Sequence, residues 1–205
     1  MSSPKLPKGP ISAAELARLK EEMLRNDPEY RAKVEAVEAE RQERARRLRD
    51  AEQSVVADLR SAGVQVDSVW DLVNTSDPYP AALPVLVEHF ERGGYPERVM
   101  ESLGRALAVK PSVAFWERLK ARWLEARDPG EEDGAAVALA ACATKAQIDD
   151  LIEFLSVEER GQSRIYFIRP ILNVGGDRGR EVVEALRDDP VLGKEATALL
   201  KRRRK

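Results

Sequence analysis

The last quarter of the chain, residues 176–201, has the pattern of two short helices joined by a tight turn. Asp188-Asp189-Pro190 supplies the turn, because aspartate accepts hydrogen bonds from nearby backbone amides and proline favours the first position of a helix. Cruder copies of this hairpin run back through the chain to about Pro78. Helical hairpins that recur in this way bury a core only by packing on their neighbours. The pattern therefore predicts an all-α stack of about four hairpins.

The second helices of these hairpins are expected at nearly even spacing. We place their starts near Pro96, Glu131, Gly161 and Pro190, at intervals of about 35, 30 and 29 residues, which is within the range of helical solenoids. The helix predicted at 134–143 carries almost only small side chains. We therefore expect a neighbouring helix to approach it closely.

The final hairpin resembles the HEAT-repeat family. Residues 186–191, LRDDPV, are similar to the family's turn with its aspartate, proline and valine, and residues 195–199, EATAL, are similar to its second helix. The resemblance is best over 176–201, fair over 95–108, and absent from residues 1–78. It implies a short right-handed HEAT-like solenoid, and members of the family mostly act as scaffolds for other macromolecules. We therefore expect a non-enzymatic protein-protein interaction module or adaptor.

The first part of the chain differs in composition from the repeats. Residues 1–11 carry three prolines and few apolar side chains, so we expect a disordered tail. The sequence then predicts a charged helical arm at 12–62 and a short helix with a linker at 63–79. The HEAT-like helical repeat domain is predicted at 80–205.

The middle of the predicted arm is polar on all sides. The apolar spacing of Tyr30, Val34 and Val37 is interrupted where Arg41 and Arg44 take the next positions. A helix that is polar all round is solvated, bridging or bound to a partner. Two interpretations stay open: a solvated helix whose ends pack on the body of a monomer, or an arm that either forms a coiled-coil dimer or docks a partner. Arg41 and Arg44 are candidate binding residues in the second case.

Charge and composition exclude several classes of protein. The net charge of −2 argues against general nucleic-acid binding, which favours a basic domain. The single cysteine, Cys142, forms no disulfide within the chain and fits a reducing compartment. We see neither a membrane span nor the apolar core of a signal peptide, so we expect a cytoplasmic protein. The bias toward arginine and alanine suggests a bacterial or phage source.

Arginines in or near the second helices are the candidate binding surface. Arg105, Arg164, Arg169 and Arg178 would line the inner face of a solenoid, where guanidinium groups bind carboxylates or phosphates. Salt bridges between repeats are their alternative role. The basic run at 201–205 makes a nucleic-acid-binding HEAT-like protein the second functional hypothesis, although the net charge disfavours it.

Enzyme chemistry has little support in the sequence. His89 is the only histidine, and no phosphate-binding or metal-binding motif occurs, so we expect no cofactor, no metal and no catalytic residue. Trp116 and Trp123 lie seven residues apart and share one helix face. We interpret Trp116 as core and keep Trp123 as a candidate exposed aromatic. An aromatic on a basic concave face would suit a third hypothesis, a HEAT-like DNA glycosylase.

Overall fold

The computed structural model describes residues 11–202, and all regular structure within that range is helical. This confirms the prediction of an all-α chain. Short 3₁₀ helices at Lys110–Phe115, Lys145–Gln147, Glu158–Arg164 and Leu186–Asp188 connect several of the longer helices. The α-helices are α1 (Ala13–Asn26), α2 (Pro28–Ser61), α3 (Val69–Asn74), α4 (Ala82–Arg92), α5 (Glu97–Ala106), α6 (Trp116–Glu125), α7 (Pro129–Cys142), α8 (Ile148–Phe154), α9 (Ile165–Val174), α10 (Gly176–Ala185) and α11 (Gly193–Arg202).

Two predicted segments fall partly outside the described residues. The predicted disordered tail at 1–11 lies outside them apart from Ile11, and so do the last three residues of the basic run at 201–205.

Capping side chains fix the starts of α1 and α2. The backbone amide of Glu15 donates to Ser12 Oγ at 3.2 Å, and the amide of Ser12 donates to the Glu15 carboxylate at 2.9 Å. The amide of Tyr30 likewise donates to Asp27 Oδ1 at 3.0 Å, one turn into α2. A cap of this kind stabilises a helix by about 1 kcal/mol.

The chain divides into two compact units within α2, the first ending at Leu48 and the second beginning at Arg49. In the described part of the first unit no residue is buried. In the second unit α2 buries Val55, Val56 and Leu59. The C-terminal part of the predicted arm at 12–62 therefore belongs to the larger unit, because its apolar side chains find a core there.

Within the larger unit the helices contact one another in pairs and in series. The pairs are α4 with α5, α6 with α7, α8 with α9, and α10 with α11. The second members of these pairs also contact in order, α5 with α7, α7 with α9, and α9 with α11. We call α5, α7, α9 and α11 the second-helix layer. Helix α3 packs on α5, so part of the predicted linker at 63–79 contributes to the packed body.

Helices α5 and α7 approach each other through glycine. A Cβ atom on Gly104 would lie 2.2 Å from Cα of Gly134, and one on Gly130 would lie 2.6 Å from the carbonyl oxygen of Glu97. Residue numbers rise together along the two helices, so α5 and α7 run in the same direction. The close approach expected at the small-residue helix is confirmed, and it is backbone against backbone.

We expect Gly104→Ala to destabilise the chain. In an open helix this change would stabilise by about 1 kcal/mol, because alanine is the better helix former. Here the new methyl group meets the α7 backbone, and such overpacking costs about 1–3 kcal/mol. Urea unfolding followed by circular dichroism measures the difference.

Gly176→Ala is the control for that experiment. Gly176 has φ of +58° and no neighbour within 4 Å of an added Cβ, so only the backbone penalty of about 1 kcal/mol applies. A gain in stability for Gly104→Ala would contradict the proposed crowding.

Candidate binding groove

A groove of about 520 Å³ runs over the outward face of α7, and we call it the α7 groove. Its floor is formed by Val137, Ala140 and Ala141 of α7, which are half-buried. Arg105 of α5 lies on one side, and residues of α9, including Ile165 and Pro170, lie on the other. The floor is recessed because α7 presents small side chains between helices that carry larger ones. The tight packing at Gly104 and Gly134 and the groove therefore share a cause, the small residues of α7.

One end of the groove is basic. An adjoining hollow of about 190 Å³ is lined by Arg169 of α9 and by Leu199 and Arg202 of α11. Arg169 lines both cavities, so they meet at its side chain. Both guanidinium groups belong to exposed residues, and neither forms an ion pair with another residue of 11–202. Within the described range, neither charge is therefore neutralised by an ion pair.

The carboxylates of Asp133 and Glu101 lie near Tyr166, although they do not line the groove. Burial raises the pKa of Asp133, and the negative charges of Glu132 and Glu101 raise it further. Burial also raises the pKa of Tyr166, a groove residue, and the charge of Asp133 adds to the effect. Arg105 is held by Glu101 at 2.8 Å, which reduces its availability. Glu195 of α11 lines the groove together with Arg169, so the groove surface carries charges of both signs.

Two of the predicted binding arginines lie in the groove, namely Arg105 and Arg169. Two others do not. Arg164 is buried, and its guanidinium donates to the backbone oxygens of Leu155 at 2.7 Å and Gly161 at 3.0 Å. Its prediction as an exposed binding residue is wrong, because its donors bind the carbonyl that caps the end of α8 and one carbonyl of its own 3₁₀ helix.

The other missing arginine, Arg178, lies on α10, outside the second-helix layer. It pairs with Asp149 at 2.6 Å and lines neither cavity of the groove. Of the alternatives for Arg178, the structure favours a salt bridge between helices.

Arg41 and Arg44 lie in the first unit, on α2. Both side chains are exposed, and they pair with Glu38 at 3.7 Å and Glu40 at 3.5 Å within the same helix. Exposed pairs of this spacing stabilise a helix by about 0.2–0.5 kcal/mol each. They leave both guanidinium groups open to a further contact.

Trp123 is a core residue and does not reach the surface. Its side chain is completely buried, and its indole N–H donates to Ser163 Oγ at 3.1 Å. The ring packs on Phe154 and Phe167, with centroid distances of 4.8 and 5.0 Å. The interpretation of Trp123 as an exposed aromatic is therefore wrong, while the core interpretation of Trp116, also buried, is confirmed.

Sequence reasoning missed Tyr166, the aromatic residue that lines the groove with 37% of its surface exposed. Tyr166 and Arg169 are three residues apart on α9, so they share a helix face. That spacing was the available signal. The outward alanines of α7, Ala140 and Ala141, carried no signal, because small residues look alike on both faces of a helix.

A second concavity lies beside the loop at 75–80. It has a volume of about 320 Å³ and is lined mainly by apolar side chains, among them Pro78, Leu83 and Pro111. The Tyr79 hydroxyl donates to the backbone oxygen of Ala106 at 2.9 Å, which fastens the loop to the end of α5. Asp77 is the single charged residue in the lining.

Neither the histidine nor the cysteine is placed for chemistry. His89 is 1% exposed, and its ring nitrogens lie 2.9 Å from the Asp58 carboxylate and 2.6 Å from the Tyr95 hydroxyl. Burial raises the pKa of the Cys142 thiol to about 11, which disfavours the reactive thiolate. Within residues 11–202 no group of three or more His, Cys, Asp or Glu side chains is placed to hold a metal ion.

Comparison with family models, with curated proteins and with solved structures finds no match to this chain in any of the three. Across the described range, none of the helices combines the length and the apolar character needed to cross a membrane.

Asp150 links Trp116 to Lys120. We expect the contribution of Asp150 to the stability of the chain to depend on pH. The indole N–H of Trp116 and the ammonium of Lys120 both donate to its carboxylate, each at 2.6 Å. Burial acts to raise the pKa of Asp150, but these hydrogen bonds outweigh it and lower the pKa below its ordinary value of 3.8. The stabilisation is therefore complete above that ordinary value and is lost as the pH falls through the lower folded-state value.

Asp150→Asn should destabilise the chain by about 1–3 kcal/mol near neutral pH and by less at about pH 3. Urea unfolding at the two pH values measures both losses. The matched control is Asp149→Asn, because Asp149 is 78% exposed and pairs with Arg178 at the surface, where a pair contributes little. Equal losses for the two variants at neutral pH would contradict the structural role of Asp150.

Proposed function

We propose that this chain is a non-enzymatic protein-interaction module, a short right-handed HEAT-like stack of helical hairpins that binds a protein segment in the α7 groove. The single observation that carries the proposal is an apolar floor of small side chains beside the guanidinium groups of Arg169 and Arg202, which form no ion pair with another residue of 11–202. The pairwise and serial helix contacts and the parallel course of α5 and α7 support the HEAT-like description.

The ligand that suits the groove is a segment with aliphatic and acidic side chains close together. Aliphatic groups would bury apolar surface on Val137, Ala140 and Ala141, with a gain of about 25 cal/mol for each Å² removed from water. Carboxylates beside them would meet Arg169 and Arg202, since guanidinium and carboxylate form paired, charge-assisted hydrogen bonds.

A protein segment fits this surface better than a nucleic-acid backbone does. Glu195 lines the groove, and the charges of Asp133 and Glu101 act on Tyr166, another lining residue. A phosphate backbone carries only negative charge, so these carboxylates would repel it along much of the groove. A protein segment can place acidic side chains beside the arginines and neutral or basic side chains beside these carboxylates.

The non-enzymatic character is supported by the state of the residues best suited to catalysis. His89 is buried with both ring nitrogens engaged, and Cys142 is buried with a raised thiol pKa. The glycosylase hypothesis relied on an exposed Trp123, which is in the core. The groove retains Tyr166 as its aromatic residue, without a histidine beside it.

A photo-crosslinking amino acid at position 166 tests the groove in the cells that produce this chain. The control carries the same amino acid at Leu124, which is 39% exposed against 37% for Tyr166. We expect position 166 to crosslink one protein through a segment that contains acidic and aliphatic residues. Equal crosslinking from position 124, or crosslinks to nucleic acid, would reject the proposal.

Affinity measurements on the purified pair then test the charges. Arg169→Glu and Arg202→Glu should each weaken binding by about tenfold or more, because each places a carboxylate against the acidic part of the ligand. Arg180→Glu is the matched control, since Arg180 is an exposed arginine that pairs with Glu184 and lies outside the groove. Isothermal titration calorimetry gives the dissociation constants. Unchanged affinity for both groove variants would contradict the assigned role.

A further inference from the structure

The helices of the first unit leave apolar side chains in contact with water. Residues 13–48 are helical apart from Asp27, and none of their side chains is buried. Val34 is 37% exposed and Val37 is 54% exposed, and both lie on α2. Helix α1 does not pack along α2 to cover them. Helices in water gain most of their stability from packing an apolar face, so this part of α2 lacks the contact that would hold it.

The apolar residues of α2 follow the spacing of a coiled-coil seam. Tyr30, Val34 and Val37 are four and three residues apart, and Leu48 continues the same alternation after Arg41 and Arg44. The set is symmetric about position 39, with Tyr30 opposite Leu48, Val34 opposite Arg44, and Val37 opposite Arg41. Reversing the direction of the helix therefore places apolar and arginine positions side by side.

Charge is also distributed unevenly along α2. Residues 29–40 carry four glutamates against two cations, whereas residues 41–48 carry four arginines against one glutamate. The first stretch is therefore negative and the second is positive. When a second helix runs in the opposite direction, the seam arginines Arg41 and Arg44 lie opposite the more negative stretch of the first.

We propose that a second copy of this chain pairs with the first through α2 residues 30–48 in an antiparallel arrangement. Val37 packs beside Arg41 of the second copy, and Val34 packs beside its Arg44. The aliphatic stems of the arginines cover the valines, and their guanidinium groups extend to the acidic stretch of the other helix. Two copies of the seam cover both pairs of valines. This interface is independent of the α7 groove.

A parallel pair would be far less favourable. It would place Arg41 on Arg41 and Arg44 on Arg44 in two successive layers of the seam, where like charges are brought together away from water. It would also face the negative stretch of one helix with the negative stretch of the other. The arginines that interrupt the seam thus select the antiparallel direction.

Light scattering on the full chain tests the association. We expect a mass of twice the 22.9 kDa of one chain, decreasing toward one chain on dilution. A single-chain mass throughout the dilution series would overturn the proposal.

Matched charge variants at position 37 test the direction. In the antiparallel pair Val37→Lys faces Arg41 of the second copy and should weaken association by about tenfold or more, while Val37→Glu faces the same arginine and should leave it largely intact. Lysine and glutamate are similar helix formers, so helicity does not separate the variants. In a parallel pair lysine would face lysine and glutamate would face glutamate, so both variants would weaken association equally. That result would overturn the proposal.

Disulfide formation gives a second measure of the arrangement. We expect a mixture of Val37→Cys and Arg41→Cys chains to form a mixed disulfide dimer under mild oxidation, while each variant alone stays largely uncrosslinked. Ala39→Cys, on the opposite face of the helix, is the control and should not crosslink with either. Cys142 is buried and does not compete. Rapid self-crosslinking of Val37→Cys would indicate the parallel pair and reject the antiparallel one.

Discussion

The backbone contact between α5 and α7 at Gly104 and Gly134 is the constraint on which the larger unit depends. It brings two helices of the second-helix layer together without intervening side chains, and α7 goes on to pack against α6 and α9. The small residues that permit this contact continue onto the outward face of α7, where they form the floor of the groove. One compositional feature of α7 therefore produces both the closest packing and the main concavity.

Arginine has three different physical roles in this chain. Arg164 is buried, and its guanidinium donates hydrogen bonds to the backbone carbonyl oxygens of Leu155 and Gly161. Arg178 joins two helices through Asp149 at the surface. Arg169 forms no ion pair with any described residue and lies where two cavities meet. The proposed binding role therefore rests on the arginine whose charge no described residue pairs with.

The two compact units differ in what holds them together. The larger unit has a core of aliphatic side chains with a cluster formed by Trp123, Phe154 and Phe167. The first unit has helices, caps and ion pairs but no buried side chain among its described residues. Ion pairs on exposed helices contribute only tenths of a kcal/mol each. Burying the exposed valines of α2 would therefore stabilise this unit more than its ion pairs do. The proposed pairing of two copies would bury those valines.

The sequence by itself determined the helices, their caps, the turn at Asp189-Pro190 and the small-residue helix, because these depend on contacts within a few residues. It also indicated that Arg105 and Arg169 share one surface. It did not distinguish Arg164 from Arg169, since both are arginines at similar places in a hairpin, and only the packed structure shows that one is enclosed. The burial of Trp123 and the exposure of Tyr166 were likewise decided by tertiary structure. Helical spacing assigns residues to a face, whereas exposure depends on which other helices cover that face.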